Sequence, residues 1–336
     1  MTSNHVQIIA EIGVNHDGSV DKAKKLVESA ISCGADVVKF QSFKASELAG
    51  INTPKAPYQK VNDQHTSHYL MLENLELSHH EQSELFTFCK KLGIEFLSTP
   101  YSIPEAKFLN SLGVKRFKIA SADIVDLPLH EEIASYRKPT IISTGMASLF
   151  EVNQVIEIYK EFGTELTLMH CTSEYPTPAQ HSFMRRIETI KKLSAGNFGF
   201  SDHTIGMTAA VMAVAMGSKV IEKHFTLDKG AVGPDHAASM DEGEFRLYSS
   251  TIREAEISMG DGTFFQTEAE KLMAITSRKS IHLFEKVAKG DEIVLSNLIL
   301  MRPGNGIPWR DKQKVVGGKA KIDLPALHLL CQEDVH

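Results

Sequence analysis

The sequence predicts an α/β protein, a (β/α)8 TIM barrel followed by a small C-terminal β-rich domain. Short β-rich runs alternate with longer amphipathic stretches through the first three quarters of the chain, and eight such runs occur. Regular alternation of strand and helix implies parallel strands joined by right-handed crossovers, and eight such units close into a barrel. An open doubly wound sheet is the alternative, but no GxGxxG follows the first run.

The eight runs have the length and composition of buried strands. They are QIIAEIG from residue 7, DVVKFQ from 36, IEFLSTP from 94, RFKIAS from 116, PTIISTG from 139, LTLMHC from 166, NFGFSDH from 197 and VIEKHF from 220. Most are separated by segments with apolar residues at helical spacing and a glycine at the end. Amphipathic helices are therefore predicted for DKAKKLVESAISCG, HHEQSELFTFCKKLG, LFEVNQVIEIYKEFG and EGEFRLYSSTIREAEISMG.

Two departures from this alternation define the organisation of the chain. Residues 44–77, between the second and third strands, contain prolines and many polar residues and predict an extended loop framing the barrel mouth. After the last helix, short β-like pieces are punctuated by glycine and proline. We therefore expect the barrel domain at 1–262, a linker at 263–277 and the small domain at 278–336.

Composition excludes several classes of partner. The 36 basic and 42 acidic residues of the 336-residue chain give a net charge of −6, which does not indicate binding to nucleic acid or to anionic lipid. The four cysteines are far apart and form no CxxC pair, as in proteins of a reducing compartment. Neither a secretion signal nor a membrane span is apparent, so we expect a cytoplasmic protein.

Polar side chains stand at the C-terminal end of every predicted strand, where the active sites of such barrels lie. Alternation along the last strand places Glu222 and His224 on one face and turns Lys223 toward the helices. His203 ends the neighbouring strand, and barrel closure brings Glu11 beside His224. Two imidazoles and a carboxylate suit a divalent metal such as Mn²⁺ or Zn²⁺. Three further histidines near the mouth are alternative ligands: His16, His170 and His236.

Two lysines, Lys39 and Lys118, are predicted to point inward across the mouth from each other. Hydroxyl side chains surround them: Thr99, Ser121, Ser143 and Ser201. Ammonium and hydroxyl groups can satisfy phosphate and carboxylate oxygens, so these residues predict a pocket for a small polyanion. The residues thus indicate a metal-assisted enzyme acting on a small anionic substrate, and they leave the reaction open.

A series of motifs resembles the sialic acid synthase (N-acetylneuraminate synthase) family. The motifs are AEIGVNHDGS (10–19), VVKFQSFK (37–44), FLSTPYS (96–102), FKIAS (117–121), ISTGMA (142–147), HCTSEYPTP (170–178), FSDHT (200–204), IEKHFTLDK (221–229), GPDH (233–236) and RPGNGI (302–307). They follow the family's order over almost the whole chain, and the part after residue 277 resembles its antifreeze-like (SAF) domain.

The resemblance implies condensation of phosphoenolpyruvate with an N-acylated mannose-type sugar, giving a nonulosonic acid and phosphate. It implies that His203 and His224 bind Mn²⁺ or Mg²⁺ and that Glu11, Lys39 and Lys118 are catalytic. The implied phosphoenolpyruvate contacts are Lys39, Gln41, Thr99, Lys118, Ser121, Ser143 and Ser201. The implied sugar contacts are Asp123, Tyr175, Glu222, Asp235 and Arg302.

The resemblance also implies a domain-swapped homodimer, in which Arg302 of one chain reaches the barrel of the other. N-acetylmannosamine is the expected sugar, and 2,4-diacetamido-2,4,6-trideoxymannose, the substrate of legionaminic acid synthases, is the alternative. Two positions depart from the family pattern: Asp123 stands where glutamate is usual, and Ser173 where asparagine is. A non-catalytic sugar- or ice-binding protein is a distant alternative, which the intact set of polar barrel residues disfavours.

Overall fold

A computed structural model describes residues 5–56, 59 and 67–336. The chain divides into two compact units, Met1–Gly260 and Asp261–His336. Within the described ranges, no helix combines the length and the apolar character that a membrane crossing requires. All four cysteines are free thiols.

The first unit contains eight parallel strands at the predicted positions. They are β1 (Gln7–Gly13), β2 (Val37–Ser42), β3 (Glu95–Pro100), β4 (Phe117–Ile119), β5 (Thr140–Ser143), β6 (Leu166–Cys171), β7 (Phe198–Asp202) and β8 (Val220–His224). Hydrogen bonds join them in the order β3-β2-β1-β8-β7-β6-β5-β4, and β3 packs beside β4 where the two ends of the sheet meet. The predicted (β/α)8 barrel is therefore confirmed.

The helices of this unit follow the strands. They are α1 (Val20–Ser32), α2 (Ala45–Leu48), α3 (His68–Leu75), α4 (His79–Leu92), α5 (Ile103–Leu112), α6 (Leu127–Ser135), α7 (Leu149–Phe162), α8 (Arg186–Leu193), α9 (Thr208–Ala215) and α10 (Glu242–Met259). The four predicted amphipathic helices are confirmed as α1, α4, α7 and α10. Capping boxes begin α4, α7 and α10 at Ser78, Ser148 and Asp241, and left-handed glycines end α4 and α7 at Gly93 and Gly163.

The barrel interior is layered. Its lower layer is an apolar cluster contributed by six strands: Ile9, Val37, Leu97, Ile141, Met169 and Val220. Side chains two positions apart on a strand share a face, so the residue two positions after each of these also points into the barrel. On most of the six strands that residue is polar. A polar layer therefore lies directly above this apolar cluster, at the C-terminal end of the barrel. It consists of Glu11, Lys39, Thr99, Ser143 and Glu222.

Residues 44–77 were predicted to be an extended loop, and this is wrong for their described part, which contains α2 and α3. The sequence HYLMLENL spaces Met71, Leu72 and Leu75 along one helical side, and Ser67 caps the first turn. This side packs into a small core of its own, formed by Val14, Phe43, Ala45, Met71, Leu72 and Leu75. Residues 57–58 and 60–66 of the predicted loop lie outside the described residues.

The second unit has a separate core. Helix α11 (Glu268–Ser277) occupies most of the segment predicted as a linker, and a capping box at Thr267 begins it. Strands β9 (Ser280–Leu283) and β10 (Leu298–Met301) form a two-stranded antiparallel sheet. The buried residues of this core are Ile281, Leu283, Val287, Ile293, Ile307, Val315, Ala320, Leu324, Leu330 and Val335.

Candidate active site

A cavity of about 650 Å³ opens at the C-terminal ends of the barrel strands. Most of the predicted site residues line it: Glu11, Lys39, Gln41, Lys118, Ser121, Ser143, Tyr175, Ser201, His203, Glu222, His224 and Asp235. Thr99 is buried beside them and accepts a hydrogen bond of 3.3 Å from Lys39. Residues predicted from seven different strands, and from the segments after β4, β6, β7 and β8, thus meet in one place.

The floor of the cavity is a network of buried charges. The Lys39 ammonium lies 3.0 Å from the Glu11 carboxylate and 3.5 Å from that of Glu222. Lys118 lies 3.8 Å from Glu222 and donates a hydrogen bond of 2.7 Å to Ser143. Each of the four charged side chains is at most 6% exposed. Each carboxylate therefore has an ammonium partner, as charges this deeply buried require.

The two carboxyl groups differ in acidity. Burial raises the pKa of Glu222, but Lys118 and Lys39 outweigh burial and lower the pKa to about 2. Burial raises the pKa of Glu11 to about 7, although Lys39 and a 2.9 Å hydrogen bond from Gln41 oppose the rise. Glu222 is therefore a carboxylate at neutral pH, whereas Glu11 can give or take a proton. With Glu11 protonated, the floor carries a net positive charge that suits a polyanion.

The two predicted metal ligands stand side by side at the rim. The ring centroids of His203 and His224 are 5.4 Å apart, and Glu11 is paired with His224 in the register of β1 and β8. The Nδ1 atom of His203 lies 2.9 Å from the Thr172 carbonyl oxygen. A carbonyl accepts only from a protonated nitrogen, so Nδ1 carries a proton, and Nε2 is the nitrogen that can bind a cation when the ring is neutral.

The second imidazole is also suited to bind a cation. Burial, and then repulsion from His203, lower the pKa of His224 well below its ordinary value, so the ring is neutral. Its Nδ1 lies 3.8 Å from an Asp235 carboxylate oxygen. Within the described residues no three histidine, cysteine or acidic side chains form a complete metal cage. The two imidazoles could supply two ligands, and a cation held there would take its remaining ligands from substrate or water.

Loops supply the remaining polar groups of the rim. Tyr175 follows β6 in the chain. Its ring centroid lies 4.1 Å from that of His203 and 5.9 Å from that of His224. Asp235 follows β8, and burial raises its pKa to about 6. These side chains surround the two imidazoles with groups that can hydrogen-bond to hydroxyls.

Two predicted sugar contacts are placed differently from the others. Asp123 is half-buried in a 3-10 turn, Ser121–Val125, and burial raises its pKa to about 7. It does not line the cavity, and its Oδ2 has no hydrogen-bond partner among the described residues. Arg302 belongs to the second unit, where it is exposed directly after β10. Sugar contact by these two residues stays a prediction.

The three alternative histidine ligands are turned away from the cavity. His16 accepts from the Gly18 amide at 3.0 Å, His170 lies 2.8 Å from the Ser182 carbonyl oxygen, and His236 lies 2.7 Å from the Thr226 hydroxyl and 3.0 Å from Asp17. None of the three lines the cavity. The predicted pair of His203 and His224 is thus the one that the barrel brings together.

The sequence analysis missed Cys171, which lines the cavity, and the close approach at Gly145 beside it. Cys171 shares the inner face of β6 with Met169, and its sulfur lies 3.8 Å from Nδ1 of His203. Strand alternation could have identified it. Next to it, a Cβ added to Gly145 would lie 2.3 Å from the Ser173 hydroxyl and 2.9 Å from that of Ser121. A side chain at this position would have to displace both hydroxyls, and a single sequence carries no signal for this close approach.

One side of the cavity is apolar, which the sequence did not predict. We call it the apolar wall, and it consists of Leu48, Ala49, Met71, Leu72, Leu75 and Tyr101. Helices α2 and α3 supply all of it except Ala49, which directly follows α2, and Tyr101, which follows β3. The cavity therefore combines a charged floor with a hydrophobic side.

Comparison with known proteins agrees with the resemblance of the motifs. Residues 26–264 match the NeuB family. The chain is 42% identical over 334 residues to the N,N'-diacetyllegionaminic acid synthase of Legionella pneumophila, covering 98% of this chain and 94% of that protein. It is also 42% identical over 314 residues to the Campylobacter jejuni enzyme of the same name, covering 92% of this chain and 94% of that protein.

Solved structures give the same result. The N-acetylneuraminic acid synthetase of Leptospira borgpetersenii superposes with a TM-score of 0.72 at 29% identity, covering 80% of this chain and 90% of that one. The match to the family extends over most of the barrel and includes Lys39, Lys118, Glu222 and the histidine pair, whereas Glu11 precedes it. The chain therefore belongs to the NeuB family, and it is a phosphoenolpyruvate-dependent transferase that forms carbon–carbon bonds in nonulosonic acid synthesis.

Proposed function

We propose that the enzyme joins phosphoenolpyruvate to 2,4-diacetamido-2,4,6-trideoxymannose and releases N,N'-diacetyllegionaminate and phosphate. N-acetylmannosamine was the sugar first expected. Relatives named for the legionaminic acid reaction share 42% of their residues with this chain, whereas the mouse N-acetylneuraminate-9-phosphate synthase shares 32%. This difference favours the doubly acylated sugar.

The observation that carries the proposal is the buried charged floor. Lys39 and Lys118 both lie within 4 Å of the Glu222 carboxylate, and Glu11, the second carboxyl group beside Lys39, has its pKa raised to about 7. When Glu11 is protonated, Glu222 alone cannot neutralise both ammonium groups. The phosphate and carboxylate of phosphoenolpyruvate supply the missing negative charge, and Ser121, Ser143 and Ser201 add hydroxyl donors. As the bond to phosphate breaks, the same ammonium groups stabilise the charge that develops on the departing group.

The residues at the rim act on the other partner. The C3 carbon of phosphoenolpyruvate forms a bond to the sugar aldehyde carbon, and water adds at C2 before phosphate leaves. A cation held by His203 and His224 would polarise the aldehyde. Glu11, with its pKa near 7, moves the proton at the new hydroxyl or at the attacking water. Tyr175 and Asp235 orient the sugar beside the imidazoles.

The apolar wall supports the choice of sugar. The trideoxy sugar has a methyl group at C6 and a second acetyl methyl, whereas N-acetylmannosamine has hydroxyls at C4 and C6. Burial of a methyl-sized group is worth about 0.8 kcal/mol. A hydroxyl left without a partner against the same surface costs about 1–3 kcal/mol. Together these effects favour the doubly acylated sugar by roughly 10- to 1000-fold in kcat/KM.

Phosphate release with a panel of sugars tests this proposal. We expect the trideoxy sugar to be preferred over N-acetylmannosamine by at least about tenfold in kcat/KM. Leu48→Ser should remove most of this preference and leave the KM for phosphoenolpyruvate unchanged. Leu70→Ser, on the exposed side of α3, is the matched control and should retain the preference. Equal rates with both sugars in the wild-type enzyme would refute the sugar assignment, and no phosphate release with any would refute the reaction.

We also propose that the second unit is an antifreeze-like domain of a swapped homodimer, with Arg302 completing the partner's site. Arg302 is exposed, so its guanidinium is available to a second chain. On this proposal, one heterodimer of Lys118→Met and Arg302→Ala chains contains one complete site.

Co-expression of these two inactive variants is expected to restore activity. Half of the dimers are mixed at random assembly and carry one complete site of two, so recovery should reach about a quarter of the wild-type rate. Co-expressed Lys118→Met and His224→Ala chains, both altered in the barrel, are the control and should recover nothing. If the Arg302 pair recovers no more than this control, the shared site is refuted.

A further inference from the structure

A buried polar cluster lies on the helix-facing side of β7 and β8, behind the two histidines. It consists of Asp202, Lys223 and Tyr248, and we call it the outer clamp. These residues are 1%, 2% and 0% exposed. None of them faces the cavity, and no step of the proposed reaction uses them. A buried ion pair is seldom more stabilising than apolar residues of the same size, so stability alone is a weak reason for this cluster.

The clamp is closely connected. One oxygen of Asp202 accepts a hydrogen bond of 2.8 Å from the Tyr248 hydroxyl and lies 3.4 Å from the Lys223 ammonium. The other oxygen accepts from the amide and hydroxyl of Thr204, at 2.8 and 2.7 Å. Lys223 also donates to the Thr204 carbonyl oxygen and lies 5.6 Å from the centre of the Tyr248 ring. Every polar group of the clamp therefore bonds to another or to the backbone.

The residues that make these contacts are sequence neighbours of the two predicted metal ligands. Asp202 and Thr204 flank His203, and their mutual hydrogen bonds close the turn that carries it. Lys223 immediately precedes His224 and ties β8 to the same turn. The His203 carbonyl oxygen also accepts from the Thr177 amide at 2.8 Å. The backbone next to both imidazoles is thus fixed from the outer side of the barrel.

We infer that the outer clamp is a positioning device for the cation site. It joins the C-terminal ends of β7 and β8 to α10 and so holds the His203 and His224 rings at one separation, ready for a cation. The inference rests on the proposed metal role of the two histidines. Removing a group that hydrogen-bonds directly to a metal ligand typically changes metal affinity by about 10- to 100-fold, and the clamp acts on the two ligands through the backbone beside them.

The test is Mn²⁺ binding by the metal-stripped enzyme, measured by calorimetry without substrates. Tyr248→Phe removes one oxygen and preserves the ring, so the barrel should still fold. We expect its Kd for Mn²⁺ to rise at least about tenfold. Tyr159→Phe, at another buried tyrosine that packs outside the site on α7, is the control and should bind within about twofold of wild type.

Lys223→Met provides a second variant, and Lys223→Arg should recover part of the lost affinity. If Lys223→Met does not fold, Tyr248→Phe decides the matter alone. Wild-type affinity in Tyr248→Phe, with wild-type enzyme that binds Mn²⁺, would overturn the clamp and leave the metal role intact. Failure of the wild-type enzyme itself to bind Mn²⁺ would overturn both.

Discussion

Replacing Lys118 with methionine is expected to lower kcat for phosphate release by about 100- to 1000-fold, the loss typical of one preorganised electrostatic group. The ammonium is buried beside Glu222 and Ser143, and methionine fills its volume without its charge. Glu222 is then left with Lys39, 3.5 Å away, so the floor no longer has positive charge to offer a phosphate. The KM for phosphoenolpyruvate should rise, while that for the sugar stays near wild type.

A matched control separates this effect from general damage. Lys138 is half-buried just before β5, at the opposite end of the barrel, and its ammonium lies 5.9 Å from the Phe117 ring. Lys138→Met should retain kcat within about twofold, because it changes a lysine outside the site. Retention of more than about a tenth of wild-type kcat by Lys118→Met would show that its charge does not assist phosphate departure.

The strand part of this site was predictable from the sequence. A strand has a period of two, so a single apolar position such as Ile9 or Val220 determines which later residues point inward. From that rule Glu11, Glu222 and His224 were expected together, and they lie together. Parallel strands end at the same edge, which is why residues more than 200 positions apart in the chain could be placed side by side.

The parts that depend on loops could not be derived in this way. Tyr175 and Asp235 came only from the family resemblance, because no period relates a loop residue to the strand before it. Helix α3 was missed because the surrounding prolines and polar residues predicted a loop, and its own apolar residues are too few to predict a helix. Helix α11 was missed because its segment was interpreted as a linker, although Leu272, Met273 and Ile275 lie within it. The apolar wall is built from helices and loop residues that strand alternation does not place, so it was not predicted.

Chelation with EDTA is expected to abolish phosphate release, and added Mn²⁺ should restore it. His224→Ala should lose at least about a thousandfold in kcat and should not be rescued by Mn²⁺, because one of two protein ligands is gone. Its cost in stability should be small. The Nδ1 atom of His224 has no hydrogen-bond partner among the described residues, so truncation breaks no such bond there.

The control for this prediction is a buried histidine that makes a hydrogen bond and lies outside the cavity. His170 is 2% exposed and lies 2.8 Å from the Ser182 carbonyl oxygen, outside the cavity. His170→Ala should therefore lower the free energy of unfolding by about 1–3 kcal/mol and change kcat little. Thermal unfolding and phosphate release, measured on both variants, separate the two roles. Full activity in the chelated enzyme, or equal losses of stability and kcat in both variants, would contradict a metal at His203 and His224.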